Sequence, residues 1–222
     1  EFWIDAQNKI NSDGKFRLFK THNAFLDVNN YRFTNKKNTS GCIYIIRDPR
    51  NVISSVGNHF EHKHEQALNF MVNDKNLLYQ KGDNKFLSFQ FLSSWKNHYN
   101  SWISTKEFPV KVIKYEDLEK NTIGVLEEVV NFINFTAKFD KIFDKKKGLK
   151  CVDSTNFDRL KDLERKFGFK ESAIGQKTGK TINFFNLGKE NKWQNLLPKK
   201  FLKKVNKIFE PDLKKWGYKI ND

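Results

Sequence analysis

Arg47 closes the apolar run Cys42–Ile46 and is followed by Asp48, Pro49 and, eight residues after the arginine, Ser55. A guanidinium at the carboxyl end of a buried strand can hold a phosphate through two parallel N–H···O bonds, and a serine on the following helix can add a hydroxyl donor. Ser55 falls nearly two turns into such a helix, about 9 Å along its axis from Pro49. Spacing alone therefore leaves a second reading open, with Arg47 paired to an acidic neighbour and Ser55 facing solvent. His22, in Lys20-Thr21-His22, carries an imidazole that can take up a proton near neutral pH. Taken by itself it reads equally as a surface histidine beside a polar loop. His59, His62 and His64 make a poor metal site, because His62 and His64 cannot share a helical face and no cysteine joins them. The stretch GQKTGKT, Gly175 to Thr181, imitates a Walker A loop, but three residues rather than four separate its glycines and no apolar strand leads into it.

These groups need a scaffold. The 222-residue chain is long enough for one domain with a real core, and its 38% hydrophobic and 15% aromatic content argues against disorder. No apolar stretch approaches the roughly 20 residues that span a bilayer. The net charge of +15 suits a polyanionic ligand, whether nucleic acid, anionic membrane or a phosphorylated cofactor. Lysine runs such as Lys145–Lys147 and those following Pro198 read as solvated faces. Cys42 and Cys151 make no disulfide framework and have no metal spacing, so a reducing, cytoplasmic compartment is expected. The chain starts without Met, close to an expected strand, so it is expected to begin inside a longer protein.

Periodicity gives the order of elements. Residues 2–10 read as a helix, Ser12-Asp13-Gly14 as a turn, and Lys15–His22 as a short strand; residues 23–41 read as a polar loop. Cys42–Ile46 is too short for a helix and reads as a strand buried on both faces of a parallel sheet. Asp48 caps the next helix, Pro49 takes its first position, and Val52, Ile53, Val56 and Phe60 mark one face. Residues 65–80 and 86–105 read as helices, the second with Phe89, Leu92, Trp95, Tyr99 and Trp102 at three- and four-residue spacing. A strand at 110–113 and a helix at 122–135 follow; beyond 148 the chain reads as helical and basic, with a glycine-bearing loop at 174–192 and an amphipathic helix from Pro198 to about Phe209. Strands alternating with helices predict an α/β domain with ligands outside the carboxyl ends of its strands.

Four stretches in this order resemble the sulfotransferases that use 3′-phosphoadenosine 5′-phosphosulfate. FKTH at 19–22 is similar to their K-T-H strand end, and RDPRNVISS at 47–55 to their R-[DN]-P-[RK]-[DN]-V-x-x-S segment. VIKYEDL at 112–118 is similar to their Y-E-D element; STNFDRLKDLERKFGF at 154–169 with FFNLGKENKWQN at 184–195 resembles the nucleotide-covering region ending in R-K-G and a Trp. The resemblance spans nearly the whole chain and implies a single sulfotransferase domain over 1–222, a three-layer P-loop-like fold with a parallel sheet flanked by helices. It makes Arg47 and Ser55 ligands of the 3′-phosphate and Tyr115 a contact near the nucleotide. It sets Thr155 and Phe157 against the adenine side and brings Asn186, Leu187 and Gly188 toward the 3′-phosphate. His22 becomes the general base for a hydroxyl or amine acceptor, and Lys20 its cationic neighbour, with no metal required. GQKTGKT becomes a flexible basic flap whose Lys177 or Lys180 can touch the nucleotide.

Two departures accompany the resemblance. Asn186 stands where the family has the arginine of R-K-G, which removes a charged hydrogen bond, with Lys189 the nearest compensating cation. Nothing in residues 1–19 resembles the P-K-S-G-T-T-W-like loop that holds the 5′-phosphosulfate, so the N-terminal strand and loop are expected to be missing and these 222 residues to show little or no activity alone. A catalytically degenerate nucleotide-binding scaffold is the alternative; a basic nucleic-acid-binding module is the weaker one, since the aromatics fall on apolar faces and no base-reading motif is visible. The acceptor, a small molecule, glycan or lipid, is not written in these residues.

Overall fold

The computed structural model describes residues 2–81, 87–175 and 178–220. In chain order the elements are α1 (Phe2–Ile10), β1 (Asp27–Val28), β2 (Tyr31–Arg32), β3 (Cys42–Ile46), α2 (Pro49–His59), α3 (His64–Val72), β4 (Leu77–Lys81), β5 (Leu87–Phe91) and α4 (Trp95–Ile103). They continue with β6 (Val110–Lys114), α5 (Tyr115–Lys120), α6 (Thr122–Ala137), α7 (Lys145–Ser154), α8 (Phe157–Phe167), β7 (Ala173–Ile174), β8 (Thr181–Ile182), α9 (Trp193–Leu196) and α10 (Lys199–Lys215). The chain forms two compact units, residues 1–46 with 72–143, and residues 47–71 with 144–222.

The first unit is built on β3 and β6, paired in parallel with Cys42 opposite Val110 and Ile46 opposite Lys114. Side chains alternate across the pleat, so Tyr44 points to one face and Lys111 to the other. Tyr44 meets His98 of α4, while Lys111 bonds Glu128 of α6 at 2.5 Å. Helices therefore cover both faces, and the α/β expectation holds. Gly41, at the entrance to β3, is held close to α6: a Cβ there would lie 2.8 Å from the Thr136 methyl. Tyr99, Trp102, Phe108 and Ile113 are buried, and Phe25 stacks on Trp102 with centroids 5.2 Å apart. The strand run is not buried on both faces, however: Ile46 is buried but Ile45 is 56% exposed.

Three further local expectations fail. Residues 15–22 form no strand; the segment is irregular and exposed, because among the described residues no neighbouring strand offers it a ladder. The helix expected over 65–80 ends at Val72, and the one expected over 86–105 begins only at Trp95. Between them β4 and β5 make an antiparallel pair, Leu77 opposite Phe91 and Lys81 opposite Leu87. Leu87-Ser88-Phe89-Gln90-Phe91 has the period of two that a strand needs, and the helical spacing of Phe89 and Leu92 with Trp95 only imitated a longer helix.

The second unit is helical apart from the two-residue β7–β8 pairing. Helix α2 starts as its sequence demands: Pro49 has no N–H to lose, and the Asp48 carboxylate accepts the Arg50 N–H at 3.0 Å. Ile53 from α2, Leu68 from α3, and Val205, Phe209 and Leu213 from α10 form its core, all at most 3% exposed. Arg50 is buried among them at 1% exposure. Its guanidinium donates to both Asp48 oxygens (2.9 Å from Nε, 2.6 Å from Nη2), to Asn206 Oδ1 at 3.2 Å and to the Lys219 carbonyl at 2.9 Å. Gly175 N–H donates to the Lys180 carbonyl and Gly179 N–H to the Gly175 carbonyl. Among the described residues the stretch joins strand β7 to strand β8 rather than a strand to a helix, as a Walker A loop would; of the flap lysines, Lys180 is exposed and Lys177 lies outside the described residues.

Candidate functional site

Three of the candidates in the second unit, Ser55, Gly188 and Phe157, are linked through α2, α8 and the segment 184–193. Ser55 is exposed near the end of α2, yet its Oγ accepts the Asn191 Nδ2–H at 2.8 Å, and the same amide donates to the Asn51 carbonyl at 3.2 Å. Asn51 returns the contact, its Oδ1 accepting the Trp193 N–H at 2.8 Å. Asn191 N–H in turn donates to the Gly188 carbonyl at 3.1 Å. Gly188 has φ +53° and leans on Phe157, so a Cβ at this position would come within 2.6 Å of the ring. Ser55, Gly188 and Phe157 are thus tied into one cluster. Asn191 is buried, and its Oδ1 receives no hydrogen bond among the described residues.

The other expected ligands distribute as follows. Arg47 is half-buried at the junction of β3 and α2, with its Nε closed off from solvent. Its acidic neighbour Asp48 grips Arg50. Thr155 is exposed and ends α7, its Oγ1 donating to the Cys151 carbonyl at 2.7 Å. Asn156 then caps α8 by accepting the Arg159 N–H at 2.9 Å, which sets half-buried Phe157 at the first helical position. Asn186 is half-buried and its carbonyl accepts the Lys161 ammonium at 2.9 Å; Leu187 is exposed. The ammonium that reaches Asn186 is thus that of Lys161, one turn along α8 from Phe157; Lys189 is exposed.

Glu164 anchors this segment. Its buried carboxylate accepts the Phe184 N–H at 2.7 Å, the Phe185 N–H at 2.9 Å and the Ser172 hydroxyl. Burial pushes its carboxyl up, but the bonds from Ser172, Phe184 and Phe185 and the charge of Lys161 outweigh that and hold it below its ordinary value. His59, His62 and His64 pack against rings: His59 on Phe60, His62 on Phe60 and Phe70, and His64 on Phe201. Among the described residues no three metal-ligating side chains cluster.

The remaining candidates, the base His22, its neighbour Lys20 and the nucleotide contact Tyr115, belong to the first unit. Lys20 and His22 are exposed on the irregular segment, and Tyr115 is half-buried at the start of α5. The segment is held by α4: His98 Nε2 bonds the His22 carbonyl at 3.1 Å, Trp102 Nε1 donates to the Asn23 carbonyl at 3.0 Å, and Ser101 Oγ accepts the Phe25 N–H at 2.9 Å. A carbonyl only accepts, so Nε2 carries the His98 proton and Nδ1 accepts the Tyr44 hydroxyl, 2.8 Å away. Burial pushes the His98 imidazole down and the Tyr44 phenol up, which keeps the imidazole neutral and the phenol a donor.

Sequence reasoning missed Arg50, Asn51, Glu164, Asn191 and His98. Arg50 and Asn51 stood inside the recognised RDPRNVISS stretch, so the segment was visible although their partners were not. Glu164 and His98 lay on helices with nothing in their spacing to mark them.

No curated protein matches the chain. Among solved structures, the crystal structure of mouse sulfotransferase SULT7A1 complexed with PAP is similar at 18% identity with a TM-score of 0.42, over 77% of this chain and 57% of that one. The family model for the sulfotransferase domain matches residues 4–217, which takes in both compact units. The chain belongs to the sulfotransferase domain family, and its parallel, helix-flanked α/β sheet is of that family's P-loop-like kind.

Proposed function

We propose that this chain is a single sulfotransferase domain that binds 3′-phosphoadenosine 5′-phosphosulfate and transfers its sulfuryl group to a hydroxyl or amine of a small-molecule, glycan or lipid acceptor. The observation that supports it most is the bonded cluster Ser55–Asn191–Gly188 with Phe157 against Gly188, which joins the 47–55 stretch to both parts of the nucleotide-covering region, 154–169 and 184–195. In this reading Arg47 and Ser55 hold the 3′-phosphate, Asn186, Leu187 and Gly188 approach it, Thr155 and Phe157 lie on the adenine side, and Tyr115 is near the nucleotide. Lys161, its ammonium at the Asn186 carbonyl, supplies the cation that the family's arginine would bring. The unbonded Asn191 Oδ1 suits a ligand hydroxyl.

The acceptor oxygen or nitrogen attacks sulfur, the bond from sulfur to the bridging phosphate oxygen breaks, and adenosine 3′,5′-bisphosphate leaves with the electron pair. The acceptor proton passes to the neutral His22 imidazole, and Lys20 offsets negative charge on the transferring group. The chain spans 57% of the length of the mouse structure's chain, and the activity of the whole protein is part of the proposal. Among the described residues no helix is long and apolar enough to cross a membrane. Cytoplasmic location is part of the same reading and rests on two free thiols.

The test is calorimetric titration with adenosine 3′,5′-bisphosphate. Wild type should bind in the micromolar range, and Arg47→Ala and Ser55→Ala should weaken binding, the former by about tenfold or more because a charge-assisted bond is removed. Transfer of labelled sulfate by the full protein should be lost in His22→Ala. Tight binding without transfer in wild type would favour the degenerate scaffold, and binding unaffected by Arg47→Ala would sink the assigned phosphate site.

A further inference from the structure

Phe157, Lys161 and Glu164 recur at four and three residues along α8, so they share one face of that helix. Each holds a different part of the same returning segment. Phe157 packs against Gly188, Lys161 bonds the Asn186 carbonyl at 2.9 Å, and Glu164 receives the N–H groups of Phe184 and Phe185 at 2.7 and 2.9 Å. Glu164 is the buried member, and its carboxylate accepts from the backbone amides of both Phe184 and Phe185. Two consecutive amides fixed on one carboxylate determine the direction in which the chain leaves Phe185, and the next three residues are Asn186, Leu187 and Gly188.

We propose that Glu164 is a positioning residue for nucleotide binding: by clamping the Phe184 and Phe185 amides it presents Asn186–Gly188 to the bound 3′-phosphoadenosine group. The proposal rests on the nucleotide reading given above. It adds a residue that need not touch the ligand and acts through backbone geometry. A carboxylate suits the task because it offers acceptors only, to three converging donors, and the charge strengthens each bond. A glutamine in its place keeps shape and volume but turns an N–H toward one of those donors.

The experiment compares wild type with Glu164→Gln in two readouts. Amide hydrogen exchange, measured without ligand, should speed up about tenfold or more across 184–188 while the rest of the second unit is unchanged, as expected for loss of a charge-assisted bond. Calorimetry should show the affinity for adenosine 3′,5′-bisphosphate falling by about tenfold, with unfolding of the ligand-free protein much less affected. Unchanged exchange in folded Glu164→Gln overturns the clamp. Faster exchange with unchanged affinity overturns its role in binding. If wild type itself does not bind the bisphosphate, the nucleotide reading and the binding role fall together, and exchange alone decides whether the clamp exists. If Glu164→Gln does not fold, Ser172→Ala carries the test by removing one donor from the same carboxylate; exchange at 184–188 should rise, and no rise overturns the clamp.

Discussion

The Arg50 guanidinium lies 4.0 Å from the centroid of the Trp193 ring while both of its outer edges are bonded to Asp48, Asn206 and the Lys219 carbonyl. One side chain so ties the start of α2 to α10, the C-terminal tail and the Trp that follows the Asn191 cluster. Removing it leaves the Asp48 carboxylate buried without its cation. Arg50→Ala should destabilise the protein by about 3–5 kcal/mol, the usual cost of breaking one side of a buried pair. Arg50→Lys should recover little, since an ammonium cannot reproduce the planar fork. Denaturant titration measures both; a loss below 1 kcal/mol for Arg50→Ala would contradict the placement of this pair in the core.

At Gly188 two demands coincide, a left-handed backbone with φ +53° and an aromatic ring where a Cβ would go. Gly188→Ala should lose about 1–2 kcal/mol of local stability from the left-handed conformation alone, and should weaken bisphosphate binding without unfolding the helices. Gly14, also left-handed at φ +66° but with nothing within 4 Å of a Cβ, is the control. Its alanine variant should lose stability by a similar amount and leave binding as it is. Equal binding in both variants would separate Gly188 from the ligand.

His98 predicts a pH dependence whose sign is set by burial. Desolvation lowers its folded-state value from the ordinary 6.5, so the unfolded chain binds the proton more readily. The stability contributed by neutral His98 is present above 6.5 and is lost as pH falls from 6.5 through the lower folded value. His98→Gln can keep a donor to the His22 carbonyl without titrating. Denaturation between pH 5 and 8 should show a shallower slope for His98→Gln than for wild type, His59 accounting for a remainder because burial lowers it as well. Identical slopes would mean that His98 is solvated.

The two cysteines should differ sharply in reactivity. Burial pushes the Cys42 thiol up to about 12, whereas Cys151 is exposed. Thiolate is the nucleophile, so a disulfide reagent at pH 8 should titrate Cys151 quickly and Cys42 only on unfolding. Cys151→Ser should abolish the fast phase; a fast phase that survives would place Cys42 at the surface.

Glu164 gives the opposite end of the pH scale. Its folded-state value lies below the ordinary 4.5, so the stability it lends is present above 4.5 and lost as pH falls through the lower, folded value. Protection across 184–188, taken relative to the intrinsic exchange of an unstructured chain at the same pH, should therefore be lost as pH falls below 4.5 through the lower folded value and before global unfolding, and Glu164→Gln should lack that protection at every pH.

How much was legible in advance depended on how local the cause was. The apolar run at 42–46, the Asp48-Pro49 start of α2 and the amphipathic spacing of α6 all act within a few residues, and each element appears where those signals put it; α10 begins where expected but runs past Phe209, through Pro211, to Lys215. The β4–β5 pair was misread because Phe89 and Leu92 fit a helical spacing as well as Leu87, Phe89 and Phe91 fit a strand, and only pairing with residues 77–81 decides between the two periods. The segment at 15–22 had strand-like alternation and formed no strand, since alternation cannot supply a partner for backbone N–H and C=O groups.

By itself, the sequence determined the family, through four motif stretches in order, and with it an α/β sheet and a set of candidate residues. Tertiary structure decided which arginine of RDPR enters the core, which lysine stands beside Asn186, and that Ser55, Asn191, Gly188 and Phe157 form one cluster. The physical reason is range. Caps, turns and hydrophobic periods are set by neighbours in the chain, whereas the bonds made by Arg50, Glu164 and Asn191 join residues up to 169 positions apart, and nothing short of the folded packing specifies them.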